Sequence, residues 1–110
     1  MTTIEDFQRL DVRVGRIVEV EDLPEAKKPT YELMIDLGTE VGVKRSCAQL
    51  TANYSKDDLR GRLVLCVANL PPRRMGPVVS DVLTLGVPGK NGQCVLIMPE
   101  REVELGARLY

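Results

Sequence analysis

The residues best suited to chemistry lie in the stretch 69–85, where Arg73 and Arg74 stand side by side after two prolines. Pro71 and Pro72 fix φ and lack backbone N–H donors, so we expect strand pairing to stop before them. A stiff, basic loop between two strands suits the binding of an anion or of an extended ligand. For an isolated pair of arginines, the ordinary alternative is a solvated loop that binds nothing.

Catalytic chemistry is poorly supported by the residue types. The chain has no histidine, so a Ser-His or Cys-His nucleophile pair and a histidine general base are excluded. It also has no glycine-rich phosphate loop of the Walker or Rossmann type. Cys47, Cys66 and Cys94 are too scattered to predict a zinc site or a disulfide framework. We therefore expect a protein that is not an enzyme, with no metal, no cofactor and buried reduced thiols, as is typical of a cytoplasmic protein.

The composition predicts one globular domain over residues 1–110. Hydrophobic residues make up 44% of the chain, no apolar run is long enough to span a membrane, and the first residues lack the features of an export signal. The net charge of −1 conceals an asymmetry, because residues 1–43 hold five basic and ten acidic side chains, whereas residues 44–75 hold seven and two. The basic central part can attract a polyanion although the whole chain is mildly acidic.

Hydrophobic periodicity predicts the elements that position the basic stretch. Strands are predicted over residues 11–21, 31–37, 43–48, 62–68, 81–85 and 94–98, and short helices over residues 1–10 and 55–61. Three strands, a short helix and then further strands is the order of an OB-fold, a five-stranded Greek-key barrel that binds extended ligands. We therefore expect an all-β OB-fold barrel with short helices, with other small β-barrels as alternatives.

Local signals refine this prediction. Gly15 interrupts the first strand and is expected to mark a β-bulge. Residues 38–42 are expected to form a turn, and Asn91-Gly92 is a favourable hairpin turn. The segment 99–110 alternates loosely and is expected at a sheet edge, where it could add a hairpin.

Apolar residues at the two ends of the chain predict a homodimer. Ile4 and Phe7 lie on one face of a helix that is too short to be stable alone. Val103, Leu105 and Leu109 give the C-terminal segment an apolar side at a sheet edge. A twofold dimer is the commonest way to cover such surfaces.

Motifs along the whole chain resemble one known family. They are, in order, residues 4–7, 11–18, 31–38, 48–51, 69–74 and 80–86. The first two resemble the opening of the EMAP-type tRNA-binding domains, and the others resemble the stand-alone CsaA branch of that family. The resemblance implies an OB-fold homodimer, described in this family as a protein-export chaperone, with kinship to tRNA-binding modules of aminoacyl-tRNA synthetases.

The resemblance also implies two sets of site residues. The nucleic-acid surface would consist of Lys44, Arg45, Asn69, Arg73, Arg74 and Ser80. The peptide pocket would consist of Gln49, Met75, Val78 and Leu83. Pro77-Val78-Val79 stands where the family often carries a glycine, an aromatic residue and a lysine, so one stacking ring and one charge are lost.

Two functions follow as expectations. The first is a CsaA-like, export-related chaperone that binds unfolded or pre-export polypeptides as a dimer, because the apolar lip at residues 77–79 suits a peptide groove. The alternative is a tRNA-binding module that recognises tRNA by backbone and shape contacts.

Overall fold

The computed structural model describes all residues from Met1 to Tyr110 and has an antiparallel five-stranded sheet as its main element. The strands are β1 (Val12–Asp22), β2 (Tyr31–Asp36), β3 (Val43–Ala48), β4 (Leu63–Val67), β5 (Arg73–Met75), β6 (Val78–Ser80), β7 (Leu83–Thr84), β8 (Gly86–Pro88) and β9 (Cys94–Leu96). The helices are α1 (Ile4–Gln8), α2 (Gly38–Val41) and α3 (Lys56–Leu59). The sheet has the order β3-β2-β1-β4-β7 and curls into a nearly closed barrel, which confirms the predicted OB-fold with short helices.

The long strand β1 serves both apolar clusters of the molecule. Val12 and Val14 pack in a cluster on one face, and Ile17 and Val20 belong to the main core on the other. The pairing of β1 with β2 slips between Ile17 and Glu19, so one extra residue lies there and the inward-facing parity changes. One strand can therefore line two cores.

The expected position of this bulge was wrong. Gly15 stays in regular register with Val64 on the neighbouring strand β4. A Cβ atom at Gly15 would lie 2.5 Å from Cγ2 of Ile35 and 2.8 Å from Cδ2 of Leu37. The glycine is needed because β1 and β2 approach closely, and the bulge falls at Val18, which is exposed.

Strand β4 is a central strand of the sheet. All five of its residues are buried, and it pairs with β1 on one side and with β7 on the other. Val64 and Cys66 face the main core, whereas Leu63, Leu65 and Val67 face the second cluster. Such a continuous apolar run is typical of a strand covered on both faces.

The barrel closes between β3 and the residues that follow β6. The backbone amides of Asp81 and Val82 both donate to the carbonyl of Arg45, at 2.8 and 3.3 Å. Inside the barrel, the hydroxyls of Ser46 and Thr84 are 2.8 Å apart. These polar contacts join the strands where no regular ladder forms.

Three segments differ from the sequence prediction. Residues 73–80, expected as loop, form the β5–β6 hairpin, and residues 38–41, expected as a turn, form α2. Asn91-Gly92 lies in the hairpin connection as predicted, but the loop runs over residues 89–93, its turn bond joins the Gly92 amide to the carbonyl of Gly89, and the first arm is β8. Residues 99–110 form no hairpin and instead bond along β1, as in the donation from Leu109 N to the carbonyl of Val12.

The three helices have four or five residues each, and none is long and apolar enough to cross a membrane.

Candidate nucleic-acid interface

The β5–β6 hairpin presents the two adjacent arginines. Arg73 is paired with Ser80 and Arg74 with Val79, and both arginine side chains are exposed. The turn between the arms is Gly76-Pro77, with φ of Gly76 at +62°. Because proline keeps a negative φ, glycine must supply the positive one, as in a type II′ hairpin turn. The sequence therefore fixes a short, stiff arm for the basic side chains.

Most basic side chains of the chain are neutralised by a carboxylate. Eight of the fifteen lysines and arginines form an ion pair. The seven that form none are Lys27, Lys28, Lys44, Arg62, Arg73, Arg74 and Lys90. Of these, Lys27 and Lys28 lie in the loop between β1 and β2, and Arg73 and Arg74 lie on the hairpin. Unpaired cations are the ones free to neutralise phosphates.

A groove of about 380 Å³ separates this loop from the hairpin. Its lining residues are Glu25, Ala26, Lys27, Lys28, Thr30, Gln49, Arg74, Met75 and Gly76. A Cβ on Gly76 would lie 3.4 Å from the Cβ of Glu25, so the hairpin turn and the loop touch at one end of the groove. The groove therefore brings together cations from two segments that are far apart in sequence.

Hydrogen bonds hold the loop in place. The Leu23 amide donates to the carbonyl of Thr30, and the Ala26 amide donates to the carbonyl of Leu23. The Thr30 hydroxyl donates to the carbonyl of Lys28 at 2.8 Å. Leu23 and Thr30 are buried, so they anchor both ends of the loop and position the lysines between them.

Lys44 and Arg45 do not act as one patch. Lys44 is paired with the buried Ile35 and Arg45 with Met34, so the two side chains leave opposite faces of the sheet. Nε of Arg45 lies 2.8 Å from Oε1 of Glu32. The N–H is not aimed at the carboxylate, so this contact is an ion pair without a hydrogen bond.

Arg45 and Arg73 act on the same buried group. Burial raises the pKa of the Cys47 thiol, and so does the negative charge of Glu32. The positive charges of Arg45 and Arg73 both oppose this and lower the pKa of the thiol. Arg45 and Arg73, both assigned to the nucleic-acid surface, therefore lie within electrostatic range of the same thiol.

The structure engages Asn69 and Ser80 in internal hydrogen bonds. The Asn69 side chain accepts from the amide of Asp11 and donates to the carbonyl of Arg9. Ser80 is 2% exposed, and its hydroxyl accepts from the amide of Cys47 at 3.0 Å. Both side chains therefore stabilise the segments that flank the hairpin. Direct contact of either side chain with a ligand stays a prediction.

The residues assigned to a peptide pocket divide between two places. Gln49 and Met75 line the groove, and the half-buried Val78 lies on the second arm of the hairpin. Leu83 is paired with Val67 and packs against the second apolar cluster, on the other side of the sheet. Val78 is the cross-strand partner of Met75, so the structure brings Gln49, Met75 and Val78 to one region and separates Leu83 from them.

The residues assigned to a dimer interface line apolar grooves at the chain ends. Ile4, Phe7 and Leu109 line a groove of about 480 Å³, and Val103 lines an adjoining groove of about 350 Å³ with Leu109. Leu105 instead packs against the second cluster of its own chain.

Lys27 and Lys28 were not singled out from the sequence. They lie within residues 1–43, where acidic side chains outnumber basic ones, so the charge count gave no reason to expect polyanion binding there. The sequence signal that could have identified them is their position. The two adjacent lysines lie between Pro24 and Pro29 in the loop that joins the first two strands, and in an OB-fold this loop borders the ligand face.

Comparison with known proteins agrees with this geometry. A family model described as "Putative tRNA binding domain" matches residues 12–108. Methionine–tRNA ligase of Thermococcus onnurineus is 45% identical over 106 residues, which are 96% of this chain and 14% of that enzyme. The chain thus spans about a seventh of the length of this curated relative.

Two solved structures resemble the whole fold. The chaperone CsaA from Bacillus anthracis superposes with a TM-score of 0.93 at 39% identity and covers 100% of this chain and 99% of that one. The CsaA chaperone protein from Picrophilus torridus superposes with a TM-score of 0.94 at 41% identity and covers 100% of both chains.

Proposed function

The chain belongs to the tRNA-binding domain family, and we propose that it binds tRNA through the surface formed by the β5–β6 hairpin and the loop between β1 and β2. The observation that carries the proposal is the clustering of unpaired cations. Arg74 lines one border of the groove and Lys27 and Lys28 line the other, while the exposed Arg73 lies beside Arg74 on the opposite face of the hairpin. In an OB-fold, the loops at these positions and the strands between them form the ligand face.

Recognition of tRNA on this surface relies on phosphate and shape contacts. Arginine and lysine side chains fix the position of a nucleic acid through its phosphates without reading its sequence. The chain offers few rings for stacking, with three tyrosines, one phenylalanine and no tryptophan. The electrostatic contribution therefore dominates the affinity, and binding depends steeply on salt.

This proposal reverses the order of the two functions expected from the sequence. The match of the tRNA-binding family model over residues 12–108 and the identity to a domain-sized part of methionine–tRNA ligases favour tRNA as the ligand. The ligase reaction is not carried over, because the chain spans about a seventh of such an enzyme.

The salt dependence of tRNA binding tests the proposal. Binding of unfractionated tRNA is measured by filter retention at several salt concentrations for the wild type and for Arg73→Ala/Arg74→Ala. The double variant is expected to reduce the slope of log affinity against log salt by roughly 1.5–2, because each arginine neutralises about one phosphate.

A matched control removes two arginines that are already neutralised. Arg60 pairs with Asp57 and Arg101 with Glu100, so Arg60→Ala/Arg101→Ala changes the net charge equally but should leave the slope close to that of the wild type. Equal slopes for the wild type and Arg73→Ala/Arg74→Ala, or no binding of tRNA by the wild type, would contradict the proposed function.

A second candidate is a chaperone that binds unfolded polypeptides. Support comes from the two structures described as CsaA chaperones, at 39 and 41% identity over the whole chain. Met75 and Val78 give the hairpin an apolar side that an extended peptide can contact. On either function, we propose that the chain forms a homodimer through the groove of Ile4, Phe7 and Leu109.

A further inference from the structure

The groove between the loop and the hairpin has the size of a small-molecule site. Its volume of about 380 Å³ lies near the lower end of the roughly 300–1,000 Å³ range of ligand pockets. It is bordered on both sides by backbone, and the two borders touch where Gly76 approaches Glu25. A double helix is too wide to enter it, whereas one nucleotide with its phosphates can do so.

The charges of the groove suit a phosphodiester. Lys27, Lys28 and Arg74 are exposed cations without a carboxylate partner, and the only acidic residue in the lining is Glu25. Three cations against one carboxylate leave the groove positive. Two lysines and an arginine from opposite borders can bind the phosphates on both sides of a nucleotide.

The remaining side chains suit a base. The Gln49 amide is exposed and makes no hydrogen bond within the protein, so its donor and acceptor are free. Met75 is half-buried and presents an apolar, polarisable surface that can lie against a ring. The Glu25 carboxylate accepts hydrogen bonds only, so it favours a base that carries an exocyclic amino group.

Both borders of the groove are held before any ligand binds. The loop is fixed by the hydrogen bonds of Leu23 and Thr30, and the hairpin is fixed by the hydroxyl of Ser80. Preformed groups lose little conformational entropy on binding.

We propose that this groove binds a single unpaired nucleotide of the RNA, with Lys27, Lys28 and Arg74 on its phosphates and with Glu25 accepting from the amino group of its base. This inference rests on the proposed tRNA function and names the part of the RNA that the site takes. Unpaired nucleotides are accessible in RNA loops and ends, where their bases can be splayed out, whereas a paired base hides the same edge. At position 4 cytosine carries an amino group, which can donate to Glu25, whereas uracil carries a carbonyl oxygen, which the carboxylate repels, so the groove should favour cytosine over uracil.

The test uses three labelled RNAs and measures fluorescence anisotropy. The probes are a cytidine heptamer, a uridine heptamer and a fully paired RNA hairpin with the same number of phosphates. The cytidine heptamer is expected to bind roughly tenfold more tightly than the uridine heptamer, which is the ratio that one hydrogen bond to a charged group supplies. The paired hairpin is expected to bind more weakly than either heptamer.

Two variants assign the effect to the groove. Glu25→Ala should make the two heptamers bind equally, because the carboxylate that only accepts is gone, whereas the Gln49 amide that remains can both donate and accept and so favours neither base. Lys27→Ala/Lys28→Ala should lower the affinity for both heptamers and reduce the salt slope by roughly 1.4, since a single strand contributes about 0.7 per phosphate. Lys90→Ala, which removes an unpaired cation from the distant β8–β9 turn, should leave the cytidine preference unchanged.

The proposal is overturned if the wild type binds the two heptamers equally or binds the paired hairpin as tightly as the cytidine heptamer. It is also overturned if a heptaglutamate peptide displaces the cytidine heptamer at the same concentration as free cytidine heptamer does, because the groove is then a general anion site. If tRNA binds with the dependence on Arg73 and Arg74 described above while the heptamers fail, only this inference falls. If tRNA itself does not bind, the proposed function is contradicted, and so is this inference, which rests on it.

Discussion

The Ser80 hydroxyl accepts a hydrogen bond from the backbone amide of Cys47, with 3.0 Å between oxygen and nitrogen. Ser80 ends the second arm of the basic hairpin, and Cys47 lies in β3 of the barrel. The same hydroxyl donates to the carbonyl of Val82 at 3.3 Å. One buried side chain on β6 therefore ties the hairpin, whose other arm β5 carries the two arginines, to the wall of the barrel.

Replacing this serine should loosen the hairpin as well as the fold. Ser80→Ala leaves the buried amide of Cys47 without a partner, which should lower the free energy of unfolding by about 1–3 kcal/mol. The affinity for tRNA should fall at a temperature where the variant is still folded, because the arginines are no longer held in one orientation. Urea denaturation and filter binding measure the two effects.

Thr51→Ala is the matched control for Ser80→Ala, since Thr51 is exposed and its hydroxyl makes no hydrogen bond within the protein. It should change neither quantity. A Ser80→Ala protein with lowered stability and unchanged tRNA affinity would mean that the hairpin is held in place by its other contacts.

The strands of the barrel were predictable because their periodicity is local. The prediction of residues 43–48 coincides with β3, and those for β1, β2 and β4 err by one residue at the ends. Buried and partly buried residues alternate in β2 because one face of that strand is covered more fully than the other, and β4 is a continuous apolar run because both of its faces are covered. The C-terminal segment was not predictable in the same way, since its bonds to β1 depend on tertiary packing.

The hairpin and the groove could not be predicted from the sequence, for a physical reason. Each arm of the hairpin has only three residues, which is too short for a hydrophobic alternation to be recognised in the sequence. The hairpin is also held by a hydrogen bond between Ser80 and Cys47, which lies 33 positions away in the chain. The groove depends on the approach of Gly76 to Glu25, which no local pattern encodes. The sequence identifies the two adjacent arginines, but only the fold places Lys27 and Lys28 across the groove from Arg74.

The Cys66 thiol should make the fold sensitive to alkaline pH. Burial raises its pKa from 9.0 to about 11, against the smaller effect of a hydrogen bond with Thr84. Because the unfolded thiol ionises at a lower pH than the folded one, this stabilisation is complete below pH 9 and is lost as the pH rises towards 11. The free energy of unfolding that depends on this thiol is at most roughly 3 kcal/mol.

Cys66→Val tests this linkage, since valine keeps the volume and the strand propensity but cannot ionise. The loss of stability between pH 8 and pH 10.5, measured by urea denaturation, should be smaller in the variant than in the wild type. Comparing each protein with itself at two pH values cancels any packing difference. Equal losses in both proteins would show that other groups carry the alkaline sensitivity.

The proposed homodimer depends on the apolar groove formed by α1 and the C-terminal residues. Ile4 is 63% exposed and lines this groove with Phe7 and Leu109. Ile4→Asp should shift the protein from dimer towards monomer in light scattering at micromolar concentration, because a charge in an apolar interface is costly. Val18→Asp places the same charge on an exposed apolar residue of β1 and should leave the mass unchanged. A monomeric wild type under these conditions would contradict the dimer.

The hairpin offers a single place to separate the two candidate functions, because its charges and its apolar residues are different side chains. Arg73→Ala/Arg74→Ala removes two unpaired cations and should strongly weaken tRNA binding. The same change should alter binding of reduced, carboxymethylated α-lactalbumin only modestly, because an unfolded chain binds mainly through apolar contacts.

Val78→Asp should have the opposite pattern. It places a carboxylate in the apolar side of the hairpin and should abolish binding of the unfolded protein, while tRNA affinity falls only by the effect of one added negative charge. Val87→Asp, on the exposed face of the β8–β9 hairpin, is the control for added charge and should spare both ligands. Strongly weakened tRNA binding in the arginine variant is the result expected from the proposed function, and loss of unfolded-protein binding in Val78→Asp is the result expected from the second candidate. A folded Arg73→Ala/Arg74→Ala/Val78→Asp protein with undiminished affinity for both ligands would place the binding site elsewhere and leave the hairpin with a purely structural role.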